Sequence, residues 1–311
     1  MLYFELGLRE EDYLTDKEMR RFGNFRRYIW KAKAKLGIIV KKKNDDKFVY
    51  VIPKVNKVFL KKIDKILKIT SEKQVCISNE LFYKEEFLNL IKNKSVNVNN
   101  GKWIFKYMLN NILEYIKDVA KEDFSNKEIA FLVKDNYELV IEYIKLVSEK
   151  FKVITVISNN LNKFSKIENK LLKESGINLN VVNNYKKSLS KTEYIVNIDF
   201  LENDLKKYTI YNKVRFINLD NDYEIAGRGF EGLNITTCQM AMPSKYIQYI
   251  ELFKNFDYLN VYESFVRKRT SEKNILKELE NDEIEIVFFE NRNGIIKNDV
   301  FLQENKKILD K

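Results

Sequence analysis

The chain contains no histidine, which removes the Ser-His-Asp and Cys-His relays, an imidazole general base and every His-ligated metal site. Its two cysteines, Cys76 and Cys238, cannot close a tetrahedral zinc site unaided. Far apart and set in apolar contexts, they read as reduced thiols rather than a disulfide framework. Two prolines and nine glycines in 311 residues punctuate the chain sparsely, so boundaries must be read from periodicity rather than from linkers. No run approaches the ~18 consecutive apolar residues of a spanning helix, and Met1-Leu2-Tyr3-Phe4-Glu5 lacks the basic-then-apolar order of a signal peptide. A soluble, cytoplasmic globular protein is expected, since 45% hydrophobic and 32% charged residues suit neither a polytopic membrane protein nor a disordered chain.

What is present is positive charge, unevenly spread. The net charge is +11, yet residues 17–68 hold 18 Lys and Arg against only four acids, Glu18, Asp45, Asp46 and Asp64. That segment alone therefore carries more than the whole excess. Half of the ten arginines lie within residues 9–27, and arginine makes shaped contacts with phosphate that lysine does not.

Thr15-Asp16-Lys17-Glu18 fits a capping box, so a helix is expected to start there and run to Gly37. Its apolar positions would be Met19, Phe22, Phe25, Ile29, Ala32 and Leu36. Ile38–Lys43 and Phe48–Ile52 flank a polar turn as a β-hairpin, and 55–69 suits a second basic amphipathic helix. These elements make a basic helix-hairpin-helix module. The candidate anion-binding residues on it are Arg20, Arg21, Arg26, Arg27, Lys31, Lys33 and Lys35, interleaved with Phe22, Phe25, Tyr28 and Trp30. Nucleic acid, an acidic protein and an anionic membrane surface are all conceivable partners, and so is solvated or internally paired charge.

From residue 73 strands and helices alternate. Gln74–Ser78 and Ser95–Val98 read as short strands, Tyr83–Lys92 as a helix, and Lys102–Ala120 as one strongly apolar helix suited to packing between two domains. Ile129–Val133, Lys152–Ser158, Ile177–Val182, Tyr194–Asp199 and Val214–Leu219 then read as strands, separated by helices at 137–150 and 163–174. Continuous apolar strands alternating with helices imply a parallel sheet covered on both faces. Beyond residue 220 a glycine-rich loop (226–232), helices at 246–253 and 260–279, and a hairpin over 283–297 are expected. The division expected is a basic module at 1–70, a small α/β segment with a linking helix at 71–120, a Rossmann-like domain at 121–225 and C-terminal helices with a hairpin at 226–311.

Residues 126–199 resemble the nucleotide-binding domain of the shikimate dehydrogenase and glutamyl-tRNA reductase type, a branch of the Rossmann fold. The resemblance rests on the strand Glu128–Val133, the strand ending Val156-Ile157-Ser158-Asn159-Asn160, the helix opening at Asn162-Lys163-Phe164, and Tyr194-Ile195-Val196-Asn197-Ile198-Asp199. It implies NAD(P) binding at the carboxyl edge of the sheet, with Lys134, Asn136, Asn159, Asn160 and Asp199 as the cofactor-binding candidates. The glycine fingerprint that lets a backbone approach pyrophosphate is absent, however: the turn reads Val133-Lys134-Asp135-Asn136-Tyr137. Gly227-x-Gly229-x-x-Gly232 has a phosphate-loop spacing but stands outside a strand-turn-helix context.

The expectation is therefore an α/β protein with a Rossmann-like parallel sheet, a smaller α/β segment and the basic module, acting as a non-catalytic binding, scaffold or regulatory protein. No catalytic residue, metal or bound cofactor is assigned. The alternatives are an NAD(P)-dependent oxidoreductase with an atypical phosphate loop, and a nucleic-acid-binding protein working through residues 17–68.

Overall fold

A computed structural model describes residues 1–301, so the end of the expected 226–311 segment lies outside the described residues. The chain divides into two compact units, Met1–Gly101 joined by Met242–Glu283, and Lys102–Ala241 joined by the residues from Ile284 onward. Of the segments read from the sequence, 1–70 falls within the first unit and 121–225 within the second, while 71–120 and 226–311 are each divided between the two.

The first unit is built on a five-stranded sheet of β1 (Leu2–Leu6), β2 (Val40–Asn44), β3 (Lys47–Ile52), β4 (Gln74–Ile77) and β5 (Asn97–Val98), in the order β2-β3-β1-β4-β5. β1 runs parallel to both β3 and β4, and β4 parallel to β5; only the β2–β3 hairpin is antiparallel. All five residues of β1 are buried, as expected of a central strand covered on both faces. This pairing overturns the idea of a self-contained helix-hairpin-helix module. Phe4, Glu5 and Leu6 of β1 are in register with Tyr50, Val51 and Ile52 of the hairpin, so the basic segment is part of the sheet.

The first basic helix is also not continuous. The capping box forms as expected: the Thr15 hydroxyl accepts from the Glu18 amide and the Glu18 carboxylate accepts from the Thr15 amide. The helix Asp16–Phe22 then stops because Gly23 takes φ +44°, a conformation that side-chain-bearing residues rarely adopt. One tight turn, Gly23–Phe25, precedes a second helix, Arg26–Lys35. The break re-aims the apolar positions. Met19, Ile29 and Trp30 pack on a core of Tyr13, Val49, Val51, Phe253 and Phe265, whereas Phe25 and Leu36 stand exposed. Helix Lys57–Thr70 matches expectation: Asn56 caps it by accepting from the Val58 and Phe59 amides at 3.1 Å, and Phe59, Ile63 and Leu67 form its buried stripe. The returning segment gives a short turn at Ser244–Tyr249 where a helix was expected, and two helices, Tyr258–Arg269 and Ile275–Asn281, where one was expected over 260–279.

The second unit holds six parallel strands: β6 (Glu128–Leu132), β7 (Val153–Ile157), β8 (Asn180–Val182), β9 (Tyr194–Asn197), β10 (Arg215–Asn218) and β11 (Leu233–Ile235). Their spatial order is β11-β10-β9-β6-β7-β8. Counted within this unit the order is 3-2-1-4-5-6, the doubly wound Rossmann arrangement, with the direction of winding reversing between β6 and β9. Every residue of β9, β10 and β11 is buried, the polar Asn197, Arg215, Asn218 and Asn234 included. The expected helix 102–120 is interrupted into Lys102–Phe105 and Leu109–Ala120; the longer piece buries Leu109, Ile112, Leu113 and Ile116 within the unit. A small antiparallel sheet of β12 (Thr237–Met240), β13 (Ile286–Asn291) and β14 (Gly294–Ile296) completes it. The β13–β14 hairpin was expected; β11 and β12 were not.

Candidate functional site

In a doubly wound sheet a ligand binds outside the carboxyl ends of the strands, where the winding reverses. Here that place lies between β6 and β9. Leu132 of β6 is in register with Ile157 of β7 on one side and with Asn197 of β9 on the other. The three strands therefore end level. The Val133 amide donates to the Ile157 carbonyl, and the Ile198 amide to the Leu132 carbonyl, both at 3.0 Å. Two residues beyond β9, Asp199 consequently arrives beside the turn that follows β6.

The Asp199 carboxylate sits against the turn that joins β6 to the helix Tyr137–Val147. It accepts hydrogen bonds from three successive backbone amides, those of Lys134, Asp135 and Asn136, the last two at 2.7 Å. These amides open the helix Tyr137–Val147, whose positive end favours an anion, and the protein supplies that anion itself. The loop carrying Asp199 is held by buried asparagines. Asn197 Oδ1 accepts from the Phe200 amide at 2.9 Å, and Asn197 Nδ2 donates to Asn218 Oδ1 at 2.9 Å. Asn218 Nδ2 donates to the Tyr223 carbonyl at 2.8 Å, and the Tyr223 hydroxyl to the Phe200 carbonyl at 3.0 Å; burial pushes that phenol well above its ordinary pKa. The two asparagines end β9 and β10 and bind the following loops to each other. Sequence reading missed both, although a polar residue closing an apolar strand is the signal that could have found them.

Beside the capped turn, at the tips of β6 and β7, lies a cavity of about 470 Å³ lined by Lys134, Asp135, Tyr137 and residues 159–162. It contains three of the five residues expected to bind a cofactor, Lys134, Asn159 and Asn160. Asn136 and Asp199 are joined in the cap instead. Asn160 is also engaged: its Oδ1 accepts from the Lys163 amide at 3.3 Å and caps the helix Leu161–Ser175. Lys163 Nζ sits 3.3 Å from the centre of the Tyr137 ring, which in turn packs against Phe164 at 5.0 Å. Exposed Lys134 and Asp135 bring opposite charges to the mouth.

Gly227 and Gly229 have open space around them, and Gly232 stands at the entrance to β11. A Cβ on Gly232 would lie 2.2 Å from the Val214 carbonyl oxygen, so close backbone approach accounts for this glycine.

In the first unit the seven basic candidates separate. Lys33 forms an ion pair with Glu18, and Arg26 donates from Nε to the Gly23 carbonyl at 2.7 Å. Arg20, Arg21, Arg27, Lys31 and Lys35 remain exposed, and none of the five forms an ion pair with a described carboxylate. Among the described residues no group of three or more Cys, Asp or Glu could hold a metal ion, and no helix is long and apolar enough to cross a membrane.

No protein-family model matches the chain, and no curated protein matches it by sequence. Solved structures resemble it distantly. L-tryptophan dehydrogenase from Nostoc punctiforme aligns at 10% identity and a TM-score of 0.34, covering 90% of this chain and 78% of that one. D-mandelate dehydrogenase from Rhodotorula graminis aligns at 8% identity and 0.29, covering 73% and 76%. Ornithine carbamoyltransferase from Pyrococcus furiosus aligns at 9% and 0.26, covering 75% and 74%. At such scores the likeness carries no argument about activity, and the Rossmann-like character rests on the strand order itself.

Proposed function

We propose that this chain is a cytoplasmic, non-catalytic binding protein built on a Rossmann-like domain, in which an internal carboxylate has taken the place of the cofactor's pyrophosphate. The capping of three turn amides by Asp199 carries this reading. A dinucleotide would have to expel a charge-assisted cap and then bring its own negative charge against Asp135 and the displaced Asp199, at the cost of both interactions. The cavity beside the turn would take a compact, uncharged or weakly anionic polar ligand, with Asn159 and the Tyr137 ring as its contacts. The two buried thiols fit a reducing compartment.

The second reading, an NAD(P)-dependent oxidoreductase of the shikimate dehydrogenase and glutamyl-tRNA reductase type with an atypical phosphate loop, has one observation in its favour. The cavity lies at the tip of β7, where the second strand of a Rossmann sheet presents its contacts to the adenosine ribose. Fluorescence titration with NADH and NADPH separates the readings. The binding-protein reading expects no saturable signal from the wild-type chain at millimolar cofactor, and weak binding gained by Asp199→Gly, which frees the three amides. Tight binding by the wild type overturns it in favour of the oxidoreductase.

A further inference from the structure

We infer that the first unit binds single-stranded nucleic acid on the face formed by the helices Asp16–Phe22 and Arg26–Lys35 and by the recess behind the second of them. Three observations meet there. The first is unpaired charge: Arg20, Arg21, Arg27, Lys31 and Lys35 lie together on two consecutive helices, are exposed, and form no ion pair with a described carboxylate. The second is an aromatic platform. Phe25 and Tyr28 are 68% and 70% exposed, with ring centres 6.3 Å apart, and the Arg21 guanidinium lies 5.5 Å from the Phe22 ring. Exposing two large rings side by side costs hydration free energy and contributes nothing to the core.

The third is a recess of about 410 Å³ lined by Trp30, Lys31, Ala34, Lys35, Lys54, Asn56 and Val58. Three lysines surround it, and Asn56 begins the 14-residue helix Lys57–Thr70, whose positive end adds to their field. The break at Gly23 produces this arrangement: a continuous helix would have placed Phe25 on the buried stripe with Ile29.

Rings on which bases stack, alternating with cations that track phosphates, are how single strands are held without sequence readout. The recess favours this occupant over the alternatives. A phosphate on a flexible strand can enter it between Lys31, Lys35 and Lys54, whereas a plane of lipid headgroups lies across its mouth. An acidic protein would satisfy the cations but would have no use for the two exposed rings. The face belongs to the first unit, and the inference does not depend on any reading of the crevice around Asp199.

Fluorescence anisotropy of the full chain with a labelled 15-nucleotide RNA and DNA of mixed sequence tests the inference. If the five free cations neutralise five phosphates, affinity falls roughly 100-fold between 50 and 200 mM salt, from a slope of about −0.7 per phosphate. Phe25→Ala with Tyr28→Ala weakens binding at least about tenfold without changing that slope, as loss of base stacking requires. Arg27→Glu with Lys31→Glu flattens the slope. All four side chains are largely exposed, so melting curves of the variants should match the wild type. Absence of binding at 50 mM salt overturns the inference. So does binding that the double aromatic variant leaves untouched and heparin reproduces, because the face is then a polyanion sink. Capture by phosphatidylserine vesicles without capture of oligonucleotide assigns the face to membranes instead.

Discussion

Asp199 shows how one side chain can cap the start of a helix from a neighbouring strand. Its carboxylate holds three amides that would otherwise be orphan donors at a helix start, in a turn open enough for water to take over if it left. Asp199→Ala should therefore destabilise the chain by only about 2 kcal/mol, since hydration offsets part of the charged hydrogen bonds. Asp199→Asn should retain roughly half of that stability, because the amide offers one acceptor oxygen instead of two. Urea denaturation monitored by circular dichroism would measure both, and equal stability of all three proteins would mean that the cap contributes nothing. Asp199 was visible in the sequence as the residue at the end of an apolar strand. Its partners were not visible, because they are backbone groups brought near only by the register between β6 and β9. The same limit hid Asn197 and Asn218, which are 21 positions apart in the chain and joined only once β9 and β10 pair.

At the scale of elements, the strands that could be read were those that repeat their own message. The runs that hold β6, β7, β9 and β10 are largely apolar, with helical periodicity on both sides of β7, and they emerge directly. β1 is a short apolar run of its own, and its central place depends on pairing with β3 and β4. β11 is only three residues long and follows a glycine-rich loop, so its apolar content is too short to register. Gly23 was present in the sequence all along, yet glycine in a helical pattern is compatible with both continuation and a break, and only packing decides. The loop glycines allow a sharper test. Gly232→Ala should lower stability by more than about 2 kcal/mol, because the added methyl meets the Val214 carbonyl oxygen and β11 must shift off β10. Gly227→Ala should be close to neutral, the space beside it being open. Thermal melts of the two variants compare them directly. Similar losses would show that both glycines are needed for something other than backbone approach, and would reopen a phosphate-binding role for the loop.

Across the whole molecule, charge serves different ends in the two units. In the second unit Arg215 and Glu122 are buried together, with the Tyr194 hydroxyl bonded to both and Lys127 3.5 Å from the same carboxylate. Arg215→Met should cost about 3 kcal/mol by leaving Glu122 without its main counter-charge, a loss that calorimetry of the intact chain would register. In the first unit the informative buried charge is Glu5, on the central strand β1 and almost fully enclosed. Burial raises its pKa above the usual 4.5, and the hydrogen bond donated by Asn255 Nδ2 at 2.7 Å opposes that shift only in part; Lys42 lowers it, while Asp12 and Glu80 add to the rise. The folded state thus holds the Glu5 proton more tightly than the unfolded state does, and unfolding releases it. Its contribution to stability is complete below the unfolded pKa and is lost as pH rises through the folded one. Glu5→Gln keeps an acceptor oxygen for Asn255 and removes the titration. The variant should match the wild type near pH 4 and become progressively more stable than it toward pH 7. Melting temperatures of the pair at pH 4.0, 5.5 and 7.0 decide the matter: a constant difference would mean that the buried Glu5 carboxyl titrates alike in the folded and unfolded chain.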